Sequence, residues 1–176
     1  MPSIDNIEDA YKRCLQEGRN VKAIIAVHLQ EHSMDMRKIY EKFRDKVDYI
    51  FEDASHALGS NYENKKVGSC EYSDGSVFSL HPVKIITSGE GGLICTGDEA
   101  IAKKCRRLKS HGLERDELNF RNGIYCLSKY EMTELGWNYR MPTMNAALAV
   151  NQLKRIEGIV SARRKNTRMY IEELRN

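Results

Sequence analysis

The sequence has no run of about 18 apolar residues, the length a membrane-spanning helix requires, and its N-terminus is acidic rather than signal-like. A cytoplasmic protein with no membrane partner is therefore expected. Charge of one sign is lacking too, since 28 Lys and Arg stand against 25 Asp and Glu for a net charge of +3. A surface so mixed has no basic stripe for nucleic acid, and the cationic stretch Arg163-Arg164-Lys165-Asn166-Thr167-Arg168 reads as a solvated helix face. The five cysteines, Cys14, Cys70, Cys95, Cys105 and Cys126, form no CxxC pair and are odd in number, which argues against a disulfide framework and against structural zinc. The dinucleotide fingerprint GxGxxG is missing, and Gly89-Glu90-Gly91-Gly92 does not have its spacing.

One stretch does have metal-ligand spacing. His28-Leu29-Gln30-Glu31-His32 matches H-x-x-E-H, which on a helix would put two imidazoles on one face. Here it directly follows an apolar strand and reads as a strand-to-helix loop. Zinc-peptidase chemistry through His28 and His32 is thus a remote alternative, and no metal is expected.

What is present is the alternating pattern of an α/β domain, in a chain of 176 residues that suits one domain with a substantial core. Ile7, Ala10, Tyr11, Cys14 and Leu15 fall at helical spacing between Asp5 and Gly18. Val21 to Val27 predicts a buried strand of the parallel type, and Met34 to Lys46 an amphipathic helix with Met36, Ile39, Tyr40 and Phe43 facing the sheet. Asp48 to Phe51 is a short strand that ends in Glu52-Asp53, and Leu93 to Thr96 is another. A helix from Asp98 to Ser110 has its acid at the start and its bases at the end, as the helix dipole favours. An irregular loop is expected between His111 and Met132, and two helices, Thr143 to Ile156 and Ser161 to Leu174, broken near Gly158.

Chemistry concentrates in Val77-Phe78-Ser79-Leu80-His81-Pro82-Val83-Lys84, followed by Gly89-Glu90-Gly91-Gly92. An apolar run ends at a proline, and a lone lysine stands before a glycine cluster that lets backbone approach a ligand. A lysine can lay its stem on apolar surface with its ammonium in water. In this company Lys84 also suits Schiff-base chemistry with a carbonyl, for which pyridoxal 5′-phosphate is a common cofactor. Asp53, at the carboxyl end of a strand, is placed to enter a site in an open α/β sheet, or else to cap a helix that begins at Ala54. Taken singly, His56 and Ser79 read as structural residues.

These residues, with Glu52-Asp53-Ala54-Ser55-His56-Ala57-Leu58-Gly59 upstream and Leu135-Gly136-Trp137-Asn138-Tyr139-Arg140-Met141 downstream, resemble the DegT/DnrJ/EryC1/StrS family of sugar aminotransferases along nearly the whole chain. The resemblance implies the large domain of the type I aminotransferase (PLP-dependent transferase) fold, an α/β architecture with a mixed, mostly parallel sheet flanked by helices. Residues 1–158 would be part of that domain, and 159–176 a helix leading to a small C-terminal domain beyond this chain. Lys84 would hold the cofactor and act as catalytic acid and base. Asp53 would face the pyridine nitrogen, His56 the ring oxygen and Ser79 the phosphate, while Asn138 would reach the phosphate in the neighbouring subunit of a homodimer with shared active sites. Within the family the resemblance points to amination of a UDP-linked 4-keto-6-deoxy-N-acetylhexosamine, as in pseudaminic acid and related surface-glycan biosynthesis, with an amino acid, glutamate, as donor. Where relatives carry a glycine after the His28 strand, Glu31 stands here, a departure in the local turn. The family's upstream phosphate loop and stacking aromatic do not occur in these 176 residues, so the rival reading is a non-catalytic piece or pseudoenzyme that folds and associates.

Overall fold

The computed structural model describes residues 3–29, 33–116 and 130–175. It contains two compact units, Met1–Thr96 with Thr143–Asn176, and Gly97–Pro142. In the first, α1 (Ile4–Gln16) starts at Ser3, whose hydroxyl accepts from the Asn6 amide while the Asn6 side chain accepts from the Ser3 amide. That reciprocal cap satisfies two of the donors a helix start leaves open. β1 (Ala23–Val27), α2 (Met36–Phe43) and β2 (Tyr49–Asp53) then form a βαβ unit. The two-residue strands β3 (Asn61–Tyr62) and β4 (Lys65–Lys66) pair with each other. β5 (Gly75–Ser79) lies parallel to β2, and β6 (Gly92–Cys95) antiparallel to β5, giving one sheet in the order β1-β2-β5-β6. The sheet is therefore mixed and mostly parallel, as expected.

One face of this sheet makes the core. Ala26 and Ile50 meet Met34, Met36, Ile39, Phe43 and Val47, all buried, with Ile7 and Tyr11 of α1 packed against them. Each large apolar side chain buried here contributes about 1.5–3 kcal/mol. The other face corrects the sequence reading of a strand buried from Val21 to Val27. The strand begins at Ala23, and its burial alternates: Ala26 is 2% exposed but Ile25 66%. β1 is an edge strand, and the register sets Ile25 beside Phe51 and Val27 beside Asp53 on the face opposite the core. Tyr49 and Val77 share that face and are exposed as well. A continuous apolar run thus met a sheet covered on one side.

The second unit, Gly97–Pro142, opens with a helix. In that unit α3 (Glu99–Leu108) is capped by Asp98, whose carboxylate accepts from the Ala100 and Ile101 amides. The expected irregular loop from His111 to Met132 is more regular at its ends: β7 (Leu113–Glu114) pairs antiparallel with β8 (Glu131–Met132), and residues 117–129, Cys126 among them, lie outside the described residues. Gly112 takes the left-handed φ of 70°, and a Cβ there would sit 1.8 Å from the Glu134 carbonyl oxygen. Backbone passes against backbone at that point, which only glycine permits.

Back in the first unit, α4 (Thr143–Leu153) and α5 (Ile156–Leu174) are divided at Lys154–Arg155 rather than near Gly158. Gly158 is helical, with nothing within 4 Å of where its Cβ would be, so it meets no constraint that would end the helix. The chain turns instead where Arg155 leaves helical geometry, its amide donating to the Gln152 carbonyl. Ile156 and Val160 of α5 pack over Gly59, and Lys66 pairs with Glu157 at 3.1 Å.

Candidate active site

The site grows from the carboxyl ends of three parallel strands, and its base is a buried polar network. His28, just past β1, is fully buried, and its Nε2 lies 2.8 Å from Glu52 Oε2. The Met34 amide donates to His28 Nδ1 at 3.0 Å, so Nδ1 carries no proton and Nε2–H is the donor to Glu52. Ser73 and Ser76 donate to the other carboxylate oxygen. Burial raises the pKa of Glu52, but the His28 and serine donors outweigh it and hold the carboxyl below its ordinary value. With both ring nitrogens engaged and no exposed surface, His28 has no lone pair for a metal. Zinc chemistry through it is thereby overturned; Glu31 and His32 lie outside the described residues, and among those described no cluster of metal-ligating side chains occurs.

Above this base Glu52 points into the core and Asp53, the next residue, to the opposite face. Asp53 Oδ1 accepts from the Ser55 amide at 3.0 Å. Residues 54–60 form turns and no helix, so Asp53 closes an Asx-type turn and is not a helix cap. Hydrogen bonding from Ser55 lowers its pKa first, and electrostatic attraction to His56 and Lys84 lowers it further. The Asp53 carboxylate is thus held ionised beside two basic side chains.

Lys84 sits in the loop after β5, not at the strand end itself. His81 to Lys84 is a β-turn with Pro82 at its second position, closed by the Lys84 amide to the His81 carbonyl at 3.0 Å. Leu80, fully buried, anchors the loop at both ends: its amide donates to the Gly91 carbonyl, and its own carbonyl accepts from the Ser88 amide and the Thr87 hydroxyl. Gly89 turns through a φ of 81°, and Asn145 of α4 pins that turn by donating to the carbonyls of Ser88 and Glu90. The result is a fixed amine: Lys84 Nζ lies 2.8 Å from His56 Nε2.

Of the sequence-predicted residues, Lys84, His56 and Asp53 are therefore brought together. The Ser79 hydroxyl, at the end of β5, accepts from the His81 amide at 3.3 Å and keeps its proton to donate elsewhere. Asn138 belongs to the second unit, where its backbone bridges to Ser110 and its side chain is exposed. Sequence reasoning missed Glu52, Asn145 and the α5 arginines. A carboxylate in register with buried Ile50 on one strand was a usable signal for Glu52; Asn145 and the arginines are near Lys84 only through tertiary packing. Lys84 and His56 line a cavity of about 450 Å³ together with Ser60 and with Arg163, Arg164 and Thr167 of α5.

Comparison with known proteins places this geometry. The chain is 35% identical over 161 residues to the UDP-4-amino-4,6-dideoxy-N-acetyl-beta-L-altrosamine transaminase of Campylobacter jejuni, covering 92% of this chain and 40% of that protein. It is 35% identical over 173 residues to the GDP-perosamine synthase of Caulobacter vibrioides, covering 98% and 43%. Among solved structures, a DegT DnrJ EryC1 StrS aminotransferase of Brucella abortus superposes with a TM-score of 0.82 at 27% identity, over 98% of this chain and 43% of that one. The chain thus spans less than half the length of the relatives it matches. The fold is that of the type I aminotransferases, whose sugar-aminating members use pyridoxal 5′-phosphate. The profile of the DegT/DnrJ/EryC1/StrS aminotransferase family matches residues 5–176, and with the lysine, aspartate and histidine gathered at the strand ends, the chain belongs to that family.

Proposed function

We propose that the protein carrying these residues is a PLP-dependent aminotransferase that moves an amino group from glutamate to the keto carbon of a UDP-linked 4-keto-6-deoxy-N-acetylhexosamine, in pseudaminic acid or related surface-glycan biosynthesis. The observation that carries the reading is Lys84 Nζ held 2.8 Å from His56 Nε2, with Asp53 held ionised nearby. The substrate class rests on relatives named for UDP- and GDP-linked amino sugars.

The residues present fit the cofactor by their chemistry: an amine for its carbonyl, a carboxylate for its pyridine nitrogen and a hydroxyl for its phosphate. Pyridoxal 5′-phosphate, when bound, supplies an electron sink for the carbon that exchanges the amino group. Lys84 would hold it through its amine and, once the incoming amino group has displaced that amine, would take and return the proton at the reacting carbon as general base and acid. His56 orients the amine by accepting from it. Asp53, held ionised, would favour a proton on the pyridine nitrogen, and Ser79 would donate to a phosphate oxygen. Asn138 acts across a homodimer, donating to the phosphate in the partner subunit's site. We read the location as cytoplasmic; no described helix is long and apolar enough to cross a membrane.

Two measurements test this. Borohydride reduction after addition of pyridoxal 5′-phosphate, followed by peptide mapping, should place the adduct on Lys84; an adduct on another lysine overturns the reading. Mixing inactive Lys84→Ala and Asn138→Ala proteins should restore activity, since one subunit of a mixed dimer then has an intact shared site. No recovery, or an active monomer by light scattering, would remove the shared-site dimer.

A further inference from the structure

The cavity beside Lys84 has a second wall that the proposed chemistry does not use. On α5, Val160, Arg163, Arg164 and Thr167 recur at i, i+3, i+4 and i+7, the spacing of one helix face, and all four line the cavity. No Asp or Glu lines it. Among the described residues the only α5 side chain in an ion pair is Glu157, with Lys66, so neither Arg163 nor Arg164 is held by a carboxylate. Both side chains are exposed, and an arginine fork matches the oxygens of a phosphoryl group two at a time.

Resting on the reading of Lys84 as the reacting amine, we infer that Arg163 and Arg164, with the Thr167 hydroxyl, form the subsite for the diphosphate of the nucleotide-sugar substrate. Three candidate anions compete for it: the cofactor phosphate, the carboxylate of the amino-acid donor and the substrate diphosphate. Ser79, the hydroxyl assigned to the cofactor phosphate, does not line this cavity, so that phosphate lies elsewhere. A single carboxylate is satisfied by one guanidinium fork. A diphosphate presents two phosphoryl groups and uses both. The volume of about 450 Å³ lies within the range of small-molecule sites, about 300–1,000 Å³. Geometry then gives a direction to the substrate: the diphosphate against α5, the sugar towards Lys84.

The test is calorimetric titration of UDP, uridine and glutamate into the wild-type protein and into Arg163→Gln/Arg164→Gln, with a Lys/Lys double variant as the conservative control. Both arginines are exposed, so the variants should fold, which thermal melts check. The expected result is UDP binding weakened by about tenfold or more, uridine binding changed by less than about twofold, and an intermediate value for Lys/Lys. UDP affinity unchanged in the Gln/Gln protein, or no UDP binding by wild type, overturns the inference. So does a loss confined to glutamate or to pyridoxal 5′-phosphate, which would name a different occupant. The borohydride adduct at Lys84 is read separately: its persistence in Gln/Gln keeps the aminotransferase reading intact even where the subsite fails.

Discussion

Replacing Glu52 by Met removes one acceptor and leaves three donors facing an apolar side chain of similar volume. Ser73 is half-buried and can turn its hydroxyl to water, but Ser76 and His28 are fully buried. His28 cannot escape by changing tautomer, because Nδ1 already accepts the Met34 amide; a proton moved there would confront another donor. Two buried donors left unmade cost about 1–3 kcal/mol each, partly offset because the carboxylate no longer has to be desolvated. The net destabilisation expected is about 2–4 kcal/mol, a large fraction of the roughly 5–15 kcal/mol that keeps domains folded. Urea unfolding at pH 7, followed by far-UV circular dichroism, measures it. Glu52→Gln keeps one acceptor for His28 and should fall between wild type and Met. The pH dependence has a definite sign. The folded-state pKa of Glu52 is depressed, so its contribution is complete above the ordinary glutamate value of about 4.3 and is lost as pH falls through the folded-state value. The gap between wild type and Glu52→Gln should therefore narrow in acid. A Glu52→Met protein within about 0.5 kcal/mol of wild type, or a His28 that carries its proton on Nδ1 by nitrogen NMR, would refute the network as described.

Asp53→Asn should leave the Lys84 adduct able to form but slow the half-reaction with glutamate, since each pKa unit lost at the pyridine nitrogen corresponds to about 1.4 kcal/mol; wild-type rates in stopped-flow absorbance would reduce Asp53 to a turn residue. Gly112→Ala should destabilise the second unit by more than the 1–2 kcal/mol or so that a left-handed backbone alone costs a non-glycine residue, because its Cβ meets the Glu134 carbonyl at 1.8 Å. Hydrogen exchange that stays protected around α3 and Trp137 in that variant would show the contact to be relaxed at no cost.

The sequence located most of the helices and sheet strands, though not the α4–α5 boundary or the β7–β8 pair. Periodicity placed α1, β1, α2, β2 and α3 because the apolar stripe of a helix or strand is a local property of the chain. The lysine loop was legible because proline, an isolated amine and glycines are local signals too, and the motifs around Asp53, Lys84 and Asn138 carried the family. What a local pattern cannot express is the company a side chain keeps across the fold. Whether β1 would be covered on one face or two depended on which elements pack against each face of the sheet, and Tyr49 and Val77 on the inner strands share the exposure of Ile25. His28 has metal-ligand spacing in the sequence, a remote alternative there, and it is Glu52, 24 residues away, and the Met34 amide that engage its two nitrogens. Gly158 looked like a helix stop, yet open space around it let α5 run through. Tertiary structure alone set Arg163 and Arg164 in the cavity that Lys84 lines, since it is the packing of Ile156 and Val160 over Gly59 that turns that face of α5 towards Lys84.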